Sequence, residues 1–161
     1  MRGAFDIIDE RLWVGPAPFT PGDYRKLVDL GITHILCLQP INESESMGLS
    51  DHEIRDSAKQ AGLSFTRIPI KNFDRFPMLE EVPKATIKVL ELLSRGESVY
   101  IHCGAGINRA PTVAAAVIAV RHSISVKAAC DWISRLHPSA PDCGAVQQYI
   151  EAPKSSIDST N

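Results

Sequence analysis

The chain has no excess of either charge. Its 161 residues carry a net charge of −2, with charged residues at 22%. There is no basic block to hold nucleic acid and no acidic tail. Long apolar runs are also missing. The longest, Val113 to Val120 ("VAAAVIAV"), falls well short of the roughly 20 residues of a membrane span and reads as a core helix. The first residues, "MRGAFDIIDERLW", lack the apolar stretch of a secretory signal and contain acids that argue against a transit peptide. Cysteine is sparse: Cys37, Cys103, Cys130 and Cys143 show no metal-ligand spacing and are too few for a disulfide scaffold. The cysteine usage points to a reducing compartment, the cytoplasm. Internal repeats and low-complexity segments are absent. What remains is an ordinary globular composition, 44% hydrophobic, sufficient for one core. One domain is expected over residues 1–152, followed by a polar tail at 153–161, "PKSSIDSTN", which has nothing to bury and should be disordered.

Apolar runs alternate with helical patterns along the chain. "RLWVG", "THILCL", "SFTRIPI" and "VYIHC" read as strands. Pro21 opens a helix that Gly31 ends, and Ser50 caps another with Glu53 as its reciprocal partner. "QPINESESMG" and "KNFDRFPMLEE" read as loops, and Pro83 as the start of a helix that stops at Gly96. Helices are expected over 111–122, 125–137 and 144–151. Such alternation implies an α/β fold with a central, mostly parallel sheet flanked by helices.

One stretch stands out, "IHCGAGINRAPT", residues 101–112. A strand runs into a glycine-containing turn and then into an apolar helix, and a helix N-terminus at the carboxyl end of a strand is a place for anions. Gly104 and Gly106 let the backbone curl so that the N–H groups from Gly104 through Ala105, Gly106, Ile107 and Asn108 form a nest. Arg109 adds a planar fork matched to two phosphate oxygens. The same positive field favours the thiolate of Cys103, which makes it a nucleophile. His102, at the strand end, reads as support for the loop.

"HCGAGINRAPT" resembles the active-site loop of the cysteine-dependent dual-specificity phosphatases. The likeness extends from "RLWVG" to "CGAVQQYI", and within the family it is strongest to the plant glucan phosphatases, whose opening segment "LWVGPAPFTPGDYRKLVDLGITHILCLQP" resembles. No carbohydrate-binding module is visible. The resemblance implies a phosphomonoester hydrolase acting on phosphoprotein (Tyr, Ser or Thr) or phosphoglucan through a phosphocysteine on Cys103, with no metal and no cofactor. Arg109 and the loop amides of 104–108 would hold the phosphate. An acid in "KNFDRFPMLEEVPKA" would protonate the leaving oxygen. Family members have that acid where this chain has Asn72, so the role passes to Asp74. The plant enzymes also have glycine in place of Asn108, whose side chain is expected to narrow the pocket mouth, and a polar residue in place of Gly104. "RAP" is shared with them, so Ala110 replaces the hydroxyl of many protein-directed members. "THILC" resembles a strand whose last cysteine, in some lipid-directed relatives, forms a disulfide with the nucleophile, which implies a Cys37–Cys103 bond on mild oxidation. A phosphate-binding pseudophosphatase is the alternative, which Asn72 favours and the intact Cys103 and Arg109 oppose.

Overall fold

A computed structural model describes residues 4–72 and 75–152. Asp74 and the expected tail at 153–161 lie outside the described residues. In chain order the elements are β1 (Asp6–Asp9), β2 (Leu12–Gly15), α1 (Pro21–Asp29), β3 (His34–Cys37), α2 (Ile41–Ser46), α3 (Asp51–Gln60), β4 (Ser64–Arg67), α4 (Arg75–Ser94), β5 (Val99–His102), α5 (Arg109–His122), α6 (Val126–Leu136) and α7 (Cys143–Glu151). The sheet has the order β1-β2-β5-β3-β4. Four strands run parallel, and β1 adds to one edge antiparallel. The expected α/β architecture is the one observed.

Strand alternation divides the core in two. Leu12, Val14, Leu36, Val99 and Ile101 face one layer, packed against α4, α5, α6 and α7. Trp13, Ile35 and Tyr100 face the other, with Tyr24 and Leu27 of α1 and Ala58 of α3. Helix α5 is buried from Arg109 to Ala119, all but its last turn. That burial explains why its sequence is apolar all round and shows no stripe.

Local signals set several boundaries. Thr20 and Ser50 cap α1 and α3 with reciprocal bonds from Asp23 and Glu53. Helix α6 ends at Leu136 because His137 precedes Pro138, which disfavours helical backbone, and His137 is extended at φ −145° and ψ 119°. Two expectations need correction. "INESES" is helix α2 rather than loop, and the acidic stretch "DIID" adds strand β1. Pro83 lies inside α4 rather than at its start. The buried stripe Met78, Val82, Ala85, Val89 and Leu92 runs past Pro83 unbroken. Burial of that face outweighs the one hydrogen bond that proline removes.

Cys130 of α6 and Cys143 of α7 form a disulfide, with their Cα atoms 6.5 Å apart. Stable disulfides are rare in reducing compartments, so this pair stands against, without overturning, the compartment expected from cysteine usage. Among the described residues no helix is long and apolar enough to cross a membrane.

Candidate active site

Strands β2, β5, β3 and β4 end together at Gly15, His102, Cys37 and Arg67. The segments that follow converge on the loop 103–108, which leads from β5 into the N-terminus of α5. A cavity of about 560 Å³ lies over it, lined by Gly104, Ala105 and Arg109 together with Glu43, Lys71 and Asn72. Cys103, at the head of the loop, is 2% exposed.

The loop carbonyls are tied down from outside. Cys103 O accepts from His102 Nδ1 at 3.0 Å, and Gly106 O from His137 Nε2 at 2.7 Å. Gly104 O accepts from the Ala17 amide at 2.9 Å, Ile107 O from the Ala140 amide at 2.7 Å. Asn108 O accepts from Thr112 Oγ1 at 2.6 Å. In a planar trans peptide the N–H opposes the carbonyl, so each outward carbonyl turns the next amide inward. The result is a set of convergent donors at the start of α5, where the helix dipole adds positive potential. Gly106 requires glycine twice over: its φ is +76°, and a Cβ there would lie 2.5 Å from the carbonyl carbon of Gly15.

Arg109 is 3% exposed and donates from Nη1 to Ile70 O at 2.8 Å and from Nη2 to Glu43 Oε2 at 2.9 Å. Glu43 Oε2 also accepts from Gln39 Nε2 at 2.8 Å. The guanidinium is thereby oriented, with donors left for an anion. A Cβ on Gly104 would lie 3.5 Å from Gln39 Nε2 and Glu43 Oε2 and 3.6 Å from Arg109 Nη2. A longer side chain at 104 would grow into that cluster, so the missing side chain and the incoming Glu43 belong together.

His102 is fully buried, which lowers its pKa to about 4, with the positive charges of Arg67 and Arg109 acting the same way against the hydrogen bond to Cys103. A carbonyl can only accept, so Nδ1 carries the proton of this neutral ring. His102 supports the loop, as expected, and is too weak a base to move protons in the reaction near neutral pH.

The structure brings together Cys103, Gly104, Ala105, Gly106, Ile107, Asn108 and Arg109, and Asn72 lines the same cavity. Asn108 does not behave as expected. Its Nδ2 donates to Ala140 O at 2.9 Å, so its side chain is drawn toward the segment after α6 and does not line the cavity. Cys37 and Cys103 are both free thiols, the state that precedes the mild oxidation on which their bond is expected. Cys37 pairs with His102 across the sheet and alternates onto the face of Ile35, while Cys103 packs in the opposite layer with Ile101. Burial pushes the Cys37 thiol up, against the pull of Arg67, whose Nη1 donates to its Sγ at 3.5 Å. Sequence reading missed Glu43, Gln39, Asp6 and His137. Only Glu43 left a signal: an acid two residues into "INESES", just after Pro40, is a helix-start pattern.

A family model described as "Swiss Army Knife protein, DSP-PTPase phosphatase domain" matches residues 3–161. A chloroplastic protein of Arabidopsis thaliana named phosphoglucan phosphatase LSF1 is 30% identical over 145 residues, 88% of this chain. An amyloplastic protein of Castanea sativa named phosphoglucan phosphatase DSP4 is 34% identical over 111 residues, 68% of this chain. The chain spans only 24% and 30% of the length of those two relatives. The crystal structure of PTPMT1 superposes with a TM-score of 0.75 at 20% identity, over 98% of this chain and 100% of that one. A nest of inward amides closed by a buried arginine, with a cysteine at its head, agrees with these likenesses, and the chain belongs to the dual-specificity phosphatase family.

Proposed function

We propose that this domain hydrolyses phosphate monoesters through a phosphocysteine, with phosphoglucan as the favoured substrate class and phosphoprotein as the other. The observation that carries the reading is the tethering of five loop carbonyls, at Cys103, Gly104, Gly106, Ile107 and Asn108, which turns the amides that follow them away from those tethers, beside the guanidinium of Arg109. Such preorganised donors stabilise the charge spread over the equatorial oxygens of a transferring phosphoryl group. Cys103 Sγ attacks phosphorus, forming the S–P bond as the ester P–O bond breaks. Asp74 gives its proton to the leaving oxygen. Asp74, now ionised, takes a proton from water, whose oxygen attacks phosphorus, breaks the S–P bond and releases phosphate. The preference for phosphoglucan rests on the names of the plant relatives. A cytoplasmic location is part of the same proposal, and fractionation of cell extracts tests it.

The experiment is turnover of p-nitrophenyl phosphate, phosphotyrosine peptide, phosphoserine peptide and phosphorylated starch by the wild type, Cys103→Ser and Arg109→Lys. Both variants should fold and lose at least about 10³-fold on every substrate, since lysine keeps the charge but not the bidentate fork. Wild-type turnover by clean Cys103→Ser would end the reading. Starch turnover below that of both peptides would reverse the order of substrate classes.

A further inference from the structure

His137 takes part in no step above, yet it is 3% exposed and both of its ring nitrogens are engaged. Nε2 lies 2.7 Å from Gly106 O, and Nδ1 lies 2.6 Å from Asp6 Oδ2. The carbonyl can only accept, so Nε2 carries a hydrogen. A carboxylate oxygen facing Nδ1 at 2.6 Å needs a second hydrogen between them. Asp6 comes from the edge strand β1 and His137 from the end of α6, so two distant segments are joined across one imidazole.

The carbonyl they hold is a sensitive one. Gly106 has φ +76°, and an added Cβ would meet the backbone of Gly15, so only glycine fits there. That does not fix ψ of Gly106, which together with φ of Ile107 sets the plane of the following peptide. Glycine tolerates either orientation of that plane better than other residues do. If the Gly106–Ile107 peptide turned over, a carbonyl oxygen would replace the Ile107 N–H beside a bound anion, exchanging attraction for repulsion.

We propose that Asp6 and His137 are positioning residues of the phosphate loop: Asp6 orients the ring, and the ring pins the Gly106 carbonyl outward, so that the Ile107 amide faces the phosphate. This role rests on the phosphatase reading of the loop. A packing role alone would reduce the folded fraction, lowering kcat per mole of protein with KM and inhibition constants unchanged. A positioning role weakens anion binding by protein that is folded.

The test measures kcat and KM for p-nitrophenyl phosphate and the inhibition constants of inorganic phosphate and tungstate, with the Cys103 population counted by iodoacetate labelling. His137→Ala should raise KM and both inhibition constants by roughly ten-fold, the weight of one well-placed hydrogen bond. His137→Gln alone sets an amide oxygen against Asp6 and should behave like the alanine variant. The double variant Asp6→Asn/His137→Gln lets one new amide donate to the other and the second donate to Gly106, and should return the constants to within about three-fold of wild type. Unchanged inhibition constants in folded His137→Ala overturn the positioning role while leaving the phosphatase reading intact. If His137→Ala does not fold, Asp6→Ala with the same measurements decides, and the role falls if its constants match wild type. A wild-type protein with neither turnover nor phosphate inhibition would overturn the phosphatase reading and this role with it.

Discussion

His102 holds the Cys103 carbonyl with one ring nitrogen and has the other buried with no hydrogen-bond partner among the described residues. Its pKa is lowered from 6.5 to about 4, so between those values the unfolded chain takes up a proton that the folded protein refuses. Stability therefore rises with pH across that window and is lost as pH falls through it, by up to about 3 kcal/mol for this one group. Urea unfolding at pH 7 and pH 4.5 should show the loss, and His102→Asn should flatten it. An equal acid loss in that variant would assign the effect to other groups. At this scale the sequence was informative wherever neighbours in the chain are neighbours in space. Cys103, Gly104, Gly106 and Arg109 lie close together in the chain, and their spacing alone suggested the chemistry proposed for them. Glu43 reaches Arg109 across 66 positions and His137 reaches Gly106 across 31, and neither distance leaves a mark in local composition.

Among the elements, capping chemistry was the most readable signal. Thr20, Ser50 and Ser125 each accept from a backbone amide of the helix they begin. Proline was the least reliable signal: Pro21 opens a helix, whereas Pro83 sits within one, because a proline's effect depends on whether the face on either side of it is buried. That reassignment shortens the connection from β4 to α4 and puts Asp74 immediately before the first residue of α4 in sequence. The connection supplies both Asn72, which lines the cavity, and the proposed acid. Sugar and serine alkoxides are poor leaving groups, so their release depends on protonation far more than release of nitrophenolate does. Asp74→Asn should cut turnover of phosphoserine peptide or phosphorylated starch by about 10²–10⁴-fold, with a much smaller loss on p-nitrophenyl phosphate. In that background, Asn72→Asp should restore part of the alkyl activity. Equal losses on both substrate types would indicate damage to folding or binding, and no loss would exclude Asp74 as the acid.

For the whole molecule, the parallel sheet was legible because strands buried on both faces are continuously apolar. The edge strand β1 was not, because "DIID" carries two acids in four residues. Those acids have partners: Asp6 meets His137, and Asp9 meets Arg121 and His122. The Cys130–Cys143 disulfide spans 13 positions, and the segment it encloses contains His137 and Ala140, both of which hold the phosphate loop. A closure of that length should contribute about 3 kcal/mol by restricting the unfolded chain. Urea unfolding with and without dithiothreitol should differ by that amount, and Cys130→Ala/Cys143→Ala should remove the difference. Identical midpoints in the wild type would show that the two sulfurs are not bonded in solution.

Ala140 and His137 follow the "HCGAGINR" stretch in the chain by some 30 residues. A nascent polypeptide that had left the ribosome only as far as α5 would contain every residue of that stretch and still lack two of the five groups that hold its carbonyls, His137 and Ala140. The order of synthesis therefore puts Cys103 and its loop outside the ribosome well before the groups that hold the Gly106 and Ile107 carbonyls, and the loop takes its final form only once α6 and the segment after it have emerged as well.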